Sequence, residues 1–152
     1  MKEVLIRNQI DNLTDIILEE LENLTSMSGM EDVFSEREID KKKIGRSQLN
    51  SLLQNSRNAS SVEELKLFIA YKEAKEEKNQ GWARKINDET VAQRFISSIN
   101  EVEKLADNVV ETVERDLSNN EKITEDDIRI IKLSLVEKFL GYMYWKGTIM
   151  GK

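Results

Sequence analysis

The residues that most often carry acid–base or metal chemistry at neutral pH are missing from this chain, which has no histidine and no cysteine among its 152 residues. That removes the usual proton-transfer group, the thiolate nucleophile and the common zinc ligands, and with them any disulfide. Carboxylates are plentiful, at 29 Asp and Glu. Acidic pairs such as Glu19/Glu20, Glu76/Glu77 and Asp126/Asp127 are sequence neighbours, however. Neighbours on a helix point about 100° apart, so they do not converge on one substrate. A di-iron centre of the Glu-x-x-His type is excluded with the histidines. The glycines at 29, 45, 81, 141, 147 and 151 are scattered, so no phosphate-binding loop is present. The expectation is a chain that is not an enzyme, with no catalytic residues, no metal and no cofactor.

Surface charge is the remaining source of chemistry. Net charge is −6, yet the distribution is uneven. Residues 1–40 hold 3 cations against 11 anions, residues 41–104 hold 13 against 9, and residues 105–152 hold 7 against 9. Lys41, Lys42, Lys43 and Arg46 put four cations into six residues beside Gly45. Further along stand Arg57, Lys66, Lys72, Lys75, Lys78, Arg84, Lys85 and Arg94. Lys72, Lys75 and Lys78 recur at steps of three, which suits a phosphate backbone held without sequence preference. The competing interpretation is a solvated face that keeps a bundle soluble.

These side chains need helices to position them. Ile6, Ile10, Leu13, Ile17, Leu21 and Leu24 predict one helix over about 4–24. Residues 25–46 read as irregular, anchored by Met27, Met30, Val33 and Phe34. Ser47 is expected to cap a short helix to about Ser56, and Ser61 to cap another to about Lys78, with Glu64 at capping-box spacing. Asn79-Gln80-Gly81 reads as a turn, after which Trp82 folds back on the helices. The longest helix is expected at about 88–117, on the stripe Val91, Phe95, Ile99, Val102, Leu105, Val109, Val113 and Leu117. Thr124 should cap the last helix, with Ile128, Ile131, Leu135, Phe139 and Tyr142 inward, ending near Gly147 and leaving Gly151-Lys152 frayed. No β-hairpin signal stands out. The fold class is all-α, an antiparallel helical bundle of about five main helices. Residues 1–40 are expected to form an acidic helix and linker packing on the bundle or a partner, and 41–152 the bundle domain. With no signal-peptide core and no long uncharged apolar run, no membrane association is expected and the predicted location is cytoplasmic.

Three stretches resemble the small (Csm-type) subunit of type III CRISPR effector complexes. They are Lys43-Ile44-Gly45-Arg46-Ser47-Gln48-Leu49-Asn50, Phe68-Ile69-Ala70-Tyr71-Lys72-Glu73-Ala74-Lys75, and Phe139-Leu140-Gly141-Tyr142-Met143-Tyr144-Trp145-Lys146-Gly147. In the second, Ala74 and Lys75 stand where the family tends to have Gly-Arg, and the third lacks the family's histidine. The resemblance implies a non-catalytic, RNA-binding subunit of an antiviral defence ribonucleoprotein. It would bind guide RNA and target RNA along their phosphates, with other subunits of the effector complex and further copies of itself as partners. It places contacts at Lys43, Arg46, Gln48, Lys72 and Lys75, and leaves Tyr142, Tyr144 and Trp145 to pack the core or a neighbouring subunit. The basic residues add Lys41, Lys42, Arg57, Lys78, Arg84 and Lys85 as RNA-binding candidates. The alternative is a helical adaptor or oligomerisation protein with no nucleic-acid partner.

Overall fold

The computed structural model describes residues 1–36 and 42–152, so Lys41 lies outside the described residues. The architecture is an all-α bundle. Its helices are α1 (Lys2–Asn12), α2 (Thr14–Thr25), α3 (Arg46–Asn58), α4 (Val62–Lys75), α5 (Val91–Asp116) and α6 (Glu125–Met150). Two strand pairs of two residues each decorate it. β1 (Phe34–Ser35) pairs in parallel with β2 (Ile44–Gly45), and β3 (Lys85–Ile86) pairs antiparallel with β4 (Glu89–Thr90).

The predicted first helix is two. Its stripe is buried as expected at Ile10, Ile17, Leu21 and Leu24, but the rod breaks at Leu13. There the Leu13 N–H bonds to the Ile10 carbonyl at three-residue spacing, and the Thr14 hydroxyl donates to the Asp11 carbonyl at 2.7 Å. A threonine that takes a backbone carbonyl competes with the helical ladder. With the first helix split in this way, the all-α bundle of about five main helices has six α-helices among the described residues.

Other boundaries move for equally local reasons. Gly45, not Ser47, is the N-cap of α3, and no side chain caps that helix. Ser61 does cap α4, accepting from the Glu64 N–H at 3.2 Å, while the Glu64 carboxylate bonds to the N–H of Ser60 rather than closing the box on Ser61. α4 stops at Lys75, because Glu76 is extended and left-handed Asn79 and Gly81 turn the chain. α5 starts at Val91, since Asn87 and Asp88 form the tip of the β3–β4 hairpin. Asn87 takes a φ of 61°, which asparagine tolerates better than most residues. Thr90 then forms a capping box with Gln93. α5 and α6 are equal at 26 residues, about 39 Å each.

Ion pairs record how the rods lie. Lys2–Asp127 at 2.9 Å and Lys138–Asp11 at 3.0 Å lay α1 parallel to α6. Lys66–Glu103 at 2.8 Å, with Thr90 bonded to Glu73, sets α4 antiparallel to α5. Arg57–Glu137 at 3.1 Å sets α3 antiparallel to α6. One hydrophobic core runs through all six helices, with Ile17, Leu52, Leu65, Phe95, Ile99, Ile131 and Phe139 among its fully buried members.

Two glycines in α6 behave differently. A Cβ on Gly147 would lie 2.4 Å from Leu49 Cδ1, so glycine is what lets α3 and α6 close at that level. A Cβ on Gly141 would meet nothing within 4 Å. In a helix interior glycine costs about 0.5–1 kcal/mol relative to alanine, and no packing of this chain requires it there. The C-terminal end of α6 runs to Met150, past Gly147. The Gly151 carbonyl accepts the Glu36 N–H at 2.9 Å, so the expected fray is a contact with the end of β1.

Candidate nucleic-acid interface

The basic segments 42–46 and 78–85 meet at one end of the bundle, and a buried tryptophan joins them. The short 3₁₀ turn Gly81–Ala83 drops Trp82 into the core with no exposed surface, edge-on to Phe95 at 5.1 Å between ring centres. The indole N–H donates to the Gln48 side-chain oxygen at 2.8 Å. The Gly81 N–H donates to the Lys42 carbonyl at 3.0 Å. The Asn79 side chain accepts the Lys85 N–H at 3.0 Å, and the Arg84 guanidinium donates to the Asp32 carbonyl at 2.8 Å. Segments more than 30 residues apart are thereby tied into one surface.

Each sequence-predicted position now has a place. Lys42, Arg46, Lys78 and Lys85 are exposed at this end and Lys43 is partly so, while Arg84 is half-buried on Asp32. Gln48 is the acceptor for Trp82, which commits its side-chain oxygen to the core rather than to solvent. On the last turns of α4, Lys72 lies 5.2 Å from the Phe68 ring centre and Lys75 5.2 Å from that of Tyr71. Burial, followed by the neighbouring charge of Lys75, holds the Lys72 ammonium below the usual lysine range. Burial pushes the Glu76 carboxyl upward, against the pull of Lys72 and Lys75.

The other cations are elsewhere. Arg57 is at the opposite end of α3, paired with Glu137. Lys66 lies between Glu63 at 3.0 Å and Glu103 at 2.8 Å. Burial acts to lower its pKa, but the hydrogen bonds to Glu103 and Glu63 outweigh that and raise it. Arg94 is occupied by Glu89 at 3.3 Å and the Ile86 carbonyl at 3.0 Å. The basic end is interleaved with acids, including Glu31, Asp32, Glu77 and Asp88. Its cations therefore act as separate contacts rather than as one continuous field.

Several apolar side chains are exposed, Ile149 on the last turn of α6 at 68% among them, and two places stand out. On the outer face of α4, Leu67 is 71% and Tyr71 56% exposed, although Leu65 and Ile69 on its inner face are buried. On α6, Tyr142 and Tyr144 pack partly against the core as expected, but Trp145 is 64% exposed. Its ring stands 5.8 Å from Tyr142 beside Gly141 and Arg57, over an open groove of about 350 Å³. The only advance sign was that Trp145 falls outside the main α6 stripe. A shallow polar groove of about 490 Å³ lies around Glu103 and Lys132. Among the described residues no three Asp or Glu side chains gather as metal ligands, and no helix is long and apolar enough to cross a membrane. Comparison with protein-family models, curated proteins and solved structures found no match.

Proposed function

We propose that this chain is a non-catalytic RNA-binding subunit, of the kind its resemblance to the type III CRISPR small subunit implies. In this reading it works in the cytoplasm, in antiviral defence, as one component of a ribonucleoprotein. It holds guide and target RNA by their phosphates while other subunits, and further copies of the same chain, share the strand. The observation that supports it is the joining of segments 42–46 and 78–85 through Trp82, Gln48 and the Lys42 carbonyl. That arrangement presents exposed Arg46, Lys78 and Lys85, with partly exposed Lys43, from two distant parts of the chain at one end of the bundle. Because the whole chain carries −6, one copy binds RNA weakly, and strong binding needs several sites engaged together.

The test reverses charge at Lys43, Arg46, Lys78 and Lys85 and compares RNA affinity of the assembled complex against salt. The variant should keep a helical circular dichroism spectrum, since exposed charged side chains contribute little to stability. Its affinity should fall about equally for all sequences, and its salt dependence should lose close to one unit of slope per phosphate contact removed. Unchanged affinity and slope would reject the RNA reading in favour of the second one, a helical adaptor without nucleic acid. Exposed Leu67 and Tyr71 on α4 favour that second reading, as an apolar outer face on a surface helix is common where proteins dock.

A further inference from the structure

We infer that the seam between α3 and α6 holds an unpaired stretch of RNA, with one base stacked on Trp145. This rests on the RNA reading above but concerns a different surface, which starts at Arg46 on the basic end and runs along α3 and α6 to Arg57 and Glu137. Four observations converge on it. First, residues 42–62 contain no Asp or Glu, although the whole chain has 29. The exposed face of α3 therefore offers Arg46, Asn50, Gln54 and Arg57, spaced by four, four and three residues along one side. Arginine and amide side chains of this kind donate hydrogen bonds to phosphate and sugar oxygens.

Second, Arg57 meets Glu137 while Leu49 meets Gly147. That antiparallel register sets Gln54 level with Gly141 and Asn50 level with Trp145. Third, Trp145 presents most of its ring to solvent and is braced by Tyr142. An exposed aromatic braced from one side is a stacking platform for a base of any identity. Fourth, Gly141 forms the floor of the groove between Trp145 and Arg57, with open space where a side chain would stand. The bundle gains nothing from glycine at that point, whereas a sugar–phosphate backbone lying against α6 does.

The occupant is RNA rather than an apolar protein segment because the groove is polar beyond its aromatic end, with Arg57, Ser134, Glu137 and Lys138 in its walls, and because the exposed face of α3 carries Asn50 and Gln54 with an arginine at each end of the row. It is single-stranded because a base inside a duplex has no free face to give to Trp145. Arg57 is already held by Glu137 through its Nε at 3.1 Å, which leaves its terminal nitrogens for a phosphate.

The test is a fluorescence and binding titration of the full chain at low ionic strength, with a short single-stranded oligoadenylate and with the same strand annealed to its complement. Trp82 is buried and Trp145 exposed, so quenching by the strand reports on Trp145. The wild type should be quenched by the single strand and not by the duplex. Trp145→Ala should abolish the quench and weaken single-strand binding by about 5- to 150-fold, the range for losing one stacked base. Trp145→Phe should restore part of that affinity. Gly141→Leu should also weaken binding while leaving the melting temperature equal to or above the wild type, which separates groove filling from misfolding. Wild-type RNA binding left unchanged by Trp145→Ala and Gly141→Leu would overturn this inference and leave the proposed function standing. No wild-type binding to either RNA, in isolation or in the assembled complex, would overturn both. Loss of binding to the other subunits in these variants, with RNA affinity intact, would also overturn it and assign the groove to a protein partner.

Discussion

The end of the bundle that holds Thr124 is closed by side-chain caps, whereas the opposite end is closed by burying Trp82. At the first, Thr124 and Asp127 form a reciprocal capping box, and Lys2 reaches across from α1 to Asp127 at 2.9 Å. The Thr124 hydroxyl and the Asp127 carboxylate each accept the other residue's backbone N–H at the start of α6, and Lys2 neutralises the carboxylate. At the second, the turn around Trp82 is tied to Lys42 and Asp32 through Gly81 and Arg84, and its indole has no exposed area and one hydrogen bond, to Gln48 of α3. A cap closes a single helix, while a buried aromatic can hold several irregular segments in one relation. The difference explains why the segments that carry Arg46, Lys78 and Lys85 are fixed relative to each other without relying on surface ion pairs.

Four measurements break or sharpen this contrast. The largest effect is expected from Trp82→Ala, which should cost about 3–5 kcal/mol in urea unfolding, since it removes a large, fully buried side chain and leaves a cavity against Phe95. A cost under about 1 kcal/mol would show that the Trp82 end is not held by its core. Next, Gln48→Leu should cost about 1–3 kcal/mol, because the indole N–H loses its acceptor inside the protein. At the capped end, Thr124→Ala should cost only about 1 kcal/mol, and the loss should appear as faster amide exchange in the first turn of α6. Equal costs at the two ends would erase the distinction.

The smallest effect is a response to acid with opposite signs at the two ends. The Asp127 carboxyl is held below its usual range, first by the backbone N–H of Thr124 and then by Lys2. Its ionised form stabilises the fold above the ordinary aspartate pKa, and that contribution is lost as pH falls through the lowered value. Glu76 is shifted upward by burial, so its protonated form favours the fold, and this group adds stability as pH falls through its raised value. Amide exchange followed during acidification should therefore show the start of α6 loosening before the turn at residues 76–81. The reverse order would contradict these assignments.

Much of the fold was legible because apolar stripes survive any error in their boundaries. The α5 positions Phe95, Ile99, Val102, Val109 and Val113 are all buried, as their spacing predicted, and Ser61 and Thr124 cap their helices as their side chains allow. The break at Leu13 was hidden because the stripe continues across it, and only the Thr14 hydroxyl bond reveals the competition. The hairpin was hidden because Asn87-Asp88 also resembles a helix start. The candidate site was harder to read. Sequence shows charge but not its partners, so Arg57 looked equivalent to Lys78 until Glu137 was placed beside it. Gln48 was read as a surface contact because its acceptor role depends on a tryptophan 34 residues away.

The position of α6 has a consequence for how the chain is made. This helix touches α1, α2, α3, α4, α5 and β1, and it is the last of the six to leave the ribosome. Until it emerges, α1, α2 and α4 can close on α5, but α3 lacks the helix it packs on most, and the Glu36 N–H has no partner at Gly151. The nascent polypeptide thus spends most of its synthesis with a core that is assembled in parts and open along one side.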